Sequence, residues 1–426
     1  MNELFALRRK ILRFLVSDSL ELFLGIDEET WRRNFLWLDR SGLALPLAAR
    51  FEARRPGSVV PASVSAALQS RLRDNHRRME RMLEFMHETT RALNAAGVRY
   101  SCVKGFSLIP DCFDGIRERH QVDLDFLLAP QDLQLARSAI EALGYQVQHV
   151  SSSGEMRLIR PWKKHIGIHG YQYQLPEAPP IELHTRFWEV NHDEIEFASL
   201  VDYAYSSEPH EICGIEFPRL RSADHFLYLL LHIFRHLLAS WTRLLSLYEL
   251  ATFMRTRSAH QEVWEEAAQL IGADKRLSSV CALILGLVDV AFPQELPVAL
   301  HEIYKKNLSL DSARWLDRCA TAWLLADPPG NKLNLLVQKQ FWTDGNVWRR
   351  YLRRRLLPIR APHKLSDEVI QPTRRALAYR AAELGYQASR AWYHVKSDFM
   401  YLLALVGWTR RRTLDGNSVY QTANGL

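Results

Sequence analysis

Three carboxylates lie in short apolar stretches of the sequence that predict β-strands. Asp123 and Asp125 flank Leu124 in the stretch DLDFLL, and Glu182 precedes Leu183 in the stretch IELH. Because side chains alternate between the two faces of a strand, Asp123 and Asp125 are expected to share a face, with Leu124 in the core. Neighbouring carboxylates repel each other, and this repulsion predicts a bound cation. If the two strands are neighbours, all three acids share one face of a sheet.

Oxygen ligands of this kind favour Mg²⁺, with Mn²⁺ as an alternative. Two such ions held together form a clamp for displacement at phosphorus. Lys104 and Gly105 close the preceding predicted strand, where a glycine lets the backbone approach a phosphate. Arg119 lies four residues before Asp123. The combination predicts a site for a nucleoside triphosphate with two divalent ions.

Some of these residues have a second interpretation. Arg119 could contact phosphate or the acids, or it could pair on the surface with Asp114 or Glu118. Glu182 could be a structural salt-bridge partner, and Lys104 could extend its ammonium to solvent. These alternatives stay open at the level of the sequence.

Three histidines lie near these segments in sequence or in predicted structure. His184 is expected on the same face as Glu182, where it orients a carboxylate or substrate or is a buried histidine with satisfied hydrogen bonds. His232 and His236 are four residues apart on a predicted helix, as in some metal sites, but HIFRH lacks the glutamate of H-E-x-x-H. We interpret that pair as packing or polar-network residues.

The candidate residues occur in three pieces with a fixed order. The pieces are Lys104-Gly105, RHQVDLDFL at 119–127 and IELH at 181–184. Together they resemble the uncharacterised nucleotidyltransferase family of bacterial gene clusters, a branch of the DNA polymerase β-like superfamily. The resemblance extends more weakly over residues 1 to about 300. It implies that the Lys104-Gly105 turn faces the phosphates of a nucleotide.

The resemblance also implies a reaction and a role for each acid. An acceptor hydroxyl or phosphate would attack the α-phosphate of an NTP such as ATP, and pyrophosphate would leave. Asp123 and Asp125 would bind the metal ions, and Glu182 would be the third metal ligand and assist deprotonation of the acceptor. Lys104 and Arg119 would balance the charge of the triphosphate. The acceptor itself has no recognisable sequence signal.

Two other functions remain open. The Lys-Gly turn and the long helical flanks are compatible with a catalytically inactive binding or scaffold protein of the same fold in a biosynthetic pathway. The arginine-rich stretches at 348–364 and 410–412 suggest a template-free polymerase or a tRNA modifier, although most such runs are solvated helix faces. Basic residues interleaved with aromatic ones can also follow an anionic membrane surface.

The elements that must position these residues form an α+β fold, with a small mixed sheet between helical regions. Residues 1–97 are predicted to be a helical lead-in, 98–217 the nucleotidyltransferase-like core and 218–426 a helical C-terminal domain. The clearest helix runs from Pro61 to Ala96, with apolar positions at three- and four-residue intervals. Further expected elements are helices at 105–112, 131–143 and 222–238, strands at 145–150 and within 157–168, and a buried helix at 399–408.

The composition is typical of a globular chain with a mild positive charge. The 426 residues carry a formal charge of +7, too small to indicate a nucleic-acid partner by itself. Five scattered cysteines without metal spacing predict free thiols in a reducing compartment. The N-terminus is expected to be an amphipathic helix rather than a signal peptide, and no stretch is long enough for a membrane span. A cytoplasmic protein is predicted, and its oligomeric state stays open.

Overall fold

The structure is a computed structural model, and it describes residues 3–151, 155–160, 173, 178–190, 195–240, 242–357, 384–385 and 387–408. Within these ranges, helices occupy both ends of the chain and seven strands form one sheet between them. This arrangement confirms the predicted α+β class with a mixed sheet and helical flanks. No helix in the described ranges is long and apolar enough to cross a membrane.

The N-terminal helices pack around one long helix that reaches the sheet. Their bounds are α1 (Glu3–Ser17), α2 (Glu28–Arg32), α3 (Phe35–Ser41), α4 (Ala44–Arg54) and α5 (Ala62–Ala95). As predicted, α1 is amphipathic and buries Leu7, Ile11 and Phe14. The long helix α5 follows Pro61 and ends before Gly97, whose φ of +69° is the left-handed conformation that favours glycine. The prediction for α5 is confirmed to within one residue at each end.

The sheet places the two acid-bearing strands side by side. Its strands are β1 (Tyr100–Cys102), β2 (Leu124–Leu128), β3 (Gln146–Val150), β4 (Met156–Ile159), β5 (Ile181–His184), β6 (Ser207–Ile212) and β7 (Ile215–Leu220). They lie in the order β3-β4-β5-β2-β1-β7-β6. The central strand β2 pairs antiparallel with β1 and parallel with β5. The helix α6 (Leu133–Glu141) connects β2 to β3.

The stretch that follows β1 differs from its prediction. The expected helix at 105–112 is wrong, because only a 3₁₀ turn forms, over Gly105–Leu108. Pro110 has no N–H to donate within a helix, and its ring disfavours the helical conformation at Ile109. The chain therefore passes from β1 to β2 mostly as loop.

The sheet is also larger than the sequence analysis predicts. The strands β6 and β7 form an antiparallel hairpin in a stretch with no predicted strand, and β7 extends past residue 217 to Leu220. The hairpin turn contains Cys213 and Gly214, with φ of 51° and 79°. Two consecutive positive φ angles are typical of a two-residue type I′ turn. The Cys-Gly pair between two alternating stretches is the sequence signal for this hairpin.

The neighbouring elements agree with their predictions in part. A 3₁₀ turn at Pro130–Asp132 precedes α6, so the helix expected at 131–143 is shorter than predicted. The strand expected at 145–150 forms as β3, and β4 supplies one of the strands expected within 157–168. Residues 161–168 lie outside the described ranges.

The rest of the chain is helical in the described ranges. The helices are α7 (Ser222–Leu238), α8 (Leu244–Thr256), α9 (Gln261–Gly272), α10 (Lys275–Ala291), α11 (Val298–Asn307), α12 (Leu310–Trp315), α13 (Thr321–Leu324), α14 (Leu335–Gln338), α15 (Gly345–Leu356) and α16 (387–408). A π-helical turn, Leu316–Ala320, joins α12 to α13. The helix α7 forms over the whole range predicted for it, 222–238.

The segment 399–408 is a helix, but the prediction that it is buried is wrong. Tyr401 and Trp408 are buried, whereas Phe399 and Leu402 are 62% and 54% exposed. One face of α16 packs against the rest of the chain and the opposite face meets solvent. Both faces are apolar, which is why the sequence alone suggests burial.

The buried apolar side chains form one continuous cluster that extends from α1 to α16. The sheet and both helical regions therefore share a core. All five cysteines are free thiols, as predicted.

Candidate active site

The register of the sheet places charged residues in a row across three strands. Asp125 on β2 lies directly beside Glu182 on β5, and Glu182 lies directly beside Arg157 on β4. Directly paired residues point to the same face of a sheet. One position earlier, Leu124 and Ile181 pair with each other and are buried. Two carboxylates and one guanidinium therefore share a face.

Asp125 is buried between a lysine and a histidine. The Nζ atom of Lys104 lies 2.6 Å from Oδ1 of Asp125, and Nε2 of His184 lies 3.1 Å from the same oxygen. Burial alone raises the pKa of Asp125, but Lys104 and His184 outweigh it and hold the pKa well below its usual value. Burial lowers the pKa of Lys104, and Asp125 more than reverses that effect. Both groups therefore stay charged.

His184 lies at the centre of the acidic side chains. Besides its contact with Asp125, its ring nitrogens lie 4.0 Å from carboxylate oxygens of Glu155, Glu182 and Glu189. Burial lowers the pKa of His184, but the hydrogen bond to Asp125 and the nearby carboxylates raise it above its usual value. The imidazole is thus placed to orient Asp125, the position expected of it from the sequence.

Glu182 forms an ion pair with Arg157 of the neighbouring strand. Burial, Asp125 and Asp123 raise the pKa of Glu182. The ion pair with Arg157 agrees with Glu182 as a structural salt-bridge partner. The position of Glu182 beside Asp125 agrees with Glu182 as a metal ligand. The structure is compatible with both.

Asp123 lies one residue before β2 and is half-buried. Its carboxylate makes no hydrogen bond or ion pair with any residue that the structure describes. Burial and the nearby Asp125 raise the pKa of Asp123. Among the described residues this carboxylate therefore has no partner that a ligand must displace, whereas Asp125 and Glu182 are paired with Lys104 and Arg157.

Gly105 leaves room for the side chain of Gln121, which binds the backbone of Asp123. The φ angle of Gly105 is +65°, and a Cβ atom at this position would overlap the side-chain amide of Gln121. Gln121 is buried, and its Nε2 donates a hydrogen bond of 2.6 Å to the carbonyl of Asp123. The glycine therefore permits the packing that holds the start of β2. Whether it also faces a phosphate, as expected, stays a prediction.

We expect Gly105→Ala to destabilise the protein by about 2–4 kcal/mol, because a left-handed alanine and a displaced Gln121 both add strain. The free energy of unfolding in denaturant measures the effect. Gly97→Ala is the matched control, since Gly97 has a φ of +69° but open space around it. The control should lose only about 1 kcal/mol. Equal losses in both variants would show that the contact with Gln121 is unimportant.

The long helix α5 holds the loop that leads to the acids. The side-chain amide of Asn75 donates to the carbonyls of Arg117 and Arg119, at 2.8 and 3.0 Å. The guanidinium of Arg78 donates twice to the carbonyl of Gln121, at 3.0 and 2.7 Å. Four hydrogen bonds from one helix thus fix a segment whose regular structure is a single 3₁₀ turn, Ile116–Glu118. Such bonds satisfy buried backbone carbonyls that no strand pairs.

Arg119 lies in a buried ion pair with Glu249 of α8. Its Nε is 2.7 Å from Oε1 of Glu249, and the two side chains are 10% and 3% exposed. The alternative that Arg119 pairs on the surface with Asp114 or Glu118 is therefore wrong. Arg119 is also one of the cations that lower the pKa of Asp123 against the effect of burial. Its contact with phosphate stays a prediction.

Among the described residues, two groups of side chains have ligand atoms close enough to share a metal ion. The groups are Asp125, Glu182 and His184, and Glu155, His184 and Glu189, each with all ligand atoms within 4.8 Å of one another. Asp123 belongs to neither group in the described part of the chain. Of the three predicted metal ligands, Asp125 and Glu182 therefore come together and Asp123 does not join them. Carboxylates combined with an imidazole suit Mn²⁺ and Zn²⁺ as well as Mg²⁺. The donor set therefore fits a divalent cation.

A cavity of about 140 Å³ opens beside these groups. Its lining combines acids and a lysine from the sheet with residues of the loop after β5 and of α7: Lys104, Glu155, Glu182, His184, Arg186, Phe187, Trp188, Glu189, Tyr228, Leu231, His232 and Arg235. A cavity of this size accommodates a group of about six heavy atoms. Charges of both signs and aromatic rings line it, which is typical of a site for a polar small molecule.

Two glutamates in this lining share a hydrogen bond. Burial and the bond to Glu155 raise the pKa of Glu189 to about 7. Arg235 of α7 lies 3.6 Å from the Glu189 carboxylate and above the ring of Trp188, at 5.1 Å from its centroid. Glu189 is therefore placed to take up a proton near neutral pH, beside a guanidinium.

The two histidines of α7 pack against each other, in agreement with their interpretation as packing or polar-network residues. The rings of His232 and His236 pack with their centroids 4.2 Å apart. Burial lowers the pKa of both, that of His236 to about 3. Neither belongs to a metal-compatible group among the described residues. The additional finding is that His232 faces the cavity.

Four residues of the site are not predicted from the sequence: Glu155, Arg157, Glu189 and Arg235. Glu155 and Arg157 are two positions apart at the start of β4, so alternation along that strand is a signal that could have placed them on one face. Glu189 and Arg235 have no such signal, because 46 positions separate them and they meet only where α7 lies over the exit of β5.

A mixed sheet with paired acids on neighbouring strands, flanked by helices, is the architecture that the sequence predicts for a nucleotidyltransferase. A family model described as "uncharacterised nucleotidyltransferase" matches residues 27–289, more than half of the chain and all of the candidate site. The chain belongs to this family, which confirms the resemblance found in the sequence. Membership supports the prediction that the chain is a nucleotidyltransferase. No curated protein and no solved structure matches the chain.

Proposed function

We propose that the chain is a cytoplasmic, metal-dependent nucleotidyltransferase that transfers a nucleoside monophosphate from an NTP to an acceptor hydroxyl or phosphate. The observation that carries this proposal is the pairing of Asp125 with Glu182 on parallel strands, with His184 within 4.8 Å of both. Three ligand atoms so placed, beside a polar cavity, suit a divalent cation and a phosphate group. The family membership supports the class of reaction.

The residues have distinct roles in this proposal. Asp125, Glu182 and His184 would hold the cation, and the carboxylate of Asp123, which has no partner among the described residues, would add a further ligand. A divalent cation supplies charge neutralisation and polarisation for displacement at phosphorus. Lys104 faces the cavity and balances the negative charge of a triphosphate. Glu182 lies beside Asp125 in the sheet and would assist deprotonation of the acceptor.

Calorimetric titration tests the site directly. Mg²⁺ and Mn²⁺ are titrated into the wild type and into the Asp123→Asn/Asp125→Asn double variant, followed by each of the four NTPs. We expect ion-dependent NTP binding by the wild type and none by the double variant. Asp289→Asn, an exposed change on α10, is the control and should bind as the wild type does. Equal binding by all three proteins would contradict the site.

One observation favours a second candidate, an inactive binding or scaffold protein of the same fold. Lys104 and Arg157 already neutralise Asp125 and Glu182, so the protein supplies cations of its own. An acid row paired in this way can be stable without metal. Pyrophosphate release from an NTP with any acceptor would exclude this candidate.

The variant Lys104→Met tests whether the lysine ammonium competes with a metal ion for Asp125. If the ammonium competes with a metal ion for Asp125, its removal should raise the affinity for Mn²⁺ by about tenfold, while transfer falls because a phosphate contact is lost. Lys332→Met is the matched control, since Lys332 pairs with Asp398 at the same distance of 2.6 Å. The control should change stability but not ion affinity. An unchanged affinity in Lys104→Met would show that the ammonium does not compete.

A further inference from the structure

The exposed face of α16 carries a row of large apolar side chains. They recur at intervals of three and four residues and are more than half exposed: Trp392 68%, Val395 60%, Phe399 62%, Leu402 54%, Leu403 60% and Val406 53%. This spacing places them on one side of the helix over about four turns. Single exposed apolar side chains are normal on a protein surface, but a contiguous apolar patch of this kind marks an interaction site.

The opposite face fixes the orientation of α16. Tyr401 is buried in the core. The hydroxyl of Tyr393 donates to the carbonyl of Ser240 at 2.9 Å, and Asp398 pairs with the buried Lys332 at 2.6 Å. These contacts hold α16 with its apolar row facing outward. The row is therefore part of the surface that the structure describes.

A strongly basic helix lies next to α16. The hydroxyl of Tyr351 on α15 donates to the carbonyl of Leu238, and that of Tyr393 on α16 donates to the carbonyl of Ser240. Both helices therefore pack at the C-terminal end of α7. The sequence of α15, GNVWRRYLRRRL, holds five arginines and no acidic residue, and Arg353 and Arg354 are exposed. From residue 345 onward the sequence holds 15 lysines and arginines against 5 aspartates and glutamates.

We propose that α15 and the apolar row of α16 form a docking surface for an anionic phospholipid bilayer. A helix with aromatic and aliphatic side chains on one face lies in the plane of the interface, and adjacent arginines add attraction to anionic headgroups. Charge decides against a second copy as the occupant, since two copies joined through α16 would bring their basic helices together. Nucleic acid would use the arginines but not six exposed apolar side chains. The surface is independent of the acid site.

Vesicle co-sedimentation of the full chain tests this proposal. We expect the protein to pellet with phosphatidylcholine vesicles that contain phosphatidylglycerol and to remain in the supernatant with phosphatidylcholine alone. Phe399→Gln/Leu402→Gln should weaken binding by about tenfold or more. Val298→Gln/Leu310→Gln is the matched control, because it replaces two side chains that are 71% and 68% exposed elsewhere on the surface. Circular dichroism checks that both variants are folded.

A second pair of variants tests the charge. Arg353→Gln/Arg354→Gln should weaken binding to the anionic vesicles by about tenfold, and added salt should weaken the wild type in the same way. Arg73→Gln/Arg77→Gln removes two exposed arginines of α5 and should have no effect.

Three results would overturn the proposal. The first is no vesicle binding by the wild type, and the second is equal binding by the variants and their controls. The third is a concentration-dependent dimer, or salt-sensitive RNA binding, that Phe399→Gln/Leu402→Gln abolishes while vesicle binding stays unchanged. That third result would assign the apolar row to a second copy or to nucleic acid instead.

Discussion

An Asp125→Asn variant is expected to lose nucleotidyl transfer by about 10³-fold or more and to be less stable than the wild type. The carboxylate lies in the group with Glu182 and His184 that fits a cation, and an amide is a weak ligand that cannot neutralise one. It is also the partner of Lys104, whose ammonium would remain buried without an anion. That loss costs about 3–5 kcal/mol. Pyrophosphate release and denaturant unfolding measure the two effects.

Two further variants separate chemistry from stability. Asp123→Asn should lower transfer to a similar extent without a loss of unfolding free energy, because its carboxylate has no protein partner among the described residues, and burial and Asp125 disfavour its charge. Asp317→Asn, whose side chain is 80% exposed, should change neither quantity. Full transfer by Asp123→Asn would remove that residue from the proposed machinery, and full transfer by Asp125→Asn would remove the metal site as a whole.

The second large effect is expected at the buried ion pair between Arg119 and Glu249. Glu249→Gln leaves the guanidinium of Arg119 charged and almost fully buried, so we expect a loss of about 3–5 kcal/mol in unfolding free energy. Glu302→Gln is the contrast, because Glu302 pairs with Lys306 at 3.8 Å on the surface. The contrast variant should stay within about 0.5 kcal/mol of the wild type.

Replacing both members of the pair with apolar residues provides the decisive comparison. Arg119→Met/Glu249→Leu should recover most of the stability that Glu249→Gln loses, because no unpaired charge remains. If it recovers none, the loss arises from packing rather than from charge. The double variant also tests the predicted phosphate contact, since unchanged NTP binding would assign Arg119 a purely structural role.

The sequence predicts the acid-bearing strands well because their signals are local. In β2 and β5, short apolar runs alternate with charged residues, and Leu124 and Ile181 are buried as that alternation requires. The same reasoning places α5 to within one residue, since a 34-residue helix repeats its apolar pattern many times. Where the apolar pattern is long or a strand is buried on one face, the local sequence determines which secondary structure forms.

The remaining features depend on contacts between distant parts of the chain. The partner of Arg119 is Glu249, 130 positions away, and no local pattern connects them. Arg235 reaches Glu189 only because α7 passes over the sheet. The ion pair between Lys104 and Asp125 likewise depends on β1 and β2 being neighbours, which the sequence suggests but does not require. Charges that meet through tertiary structure stay invisible until the fold is known.

The four hydrogen bonds from α5 have a practical consequence for anyone who shortens this protein. A fragment that begins at residue 98 would retain Lys104, Asp123, Asp125 and Glu182, and its amino-acid sequence would still match the motif. It would lose Asn75 and Arg78, and with them the donors to three carbonyls of the loop before β2. Water would bind those carbonyls in many geometries. The excised core would then contain each acid but not the helix that holds the loop before Asp123.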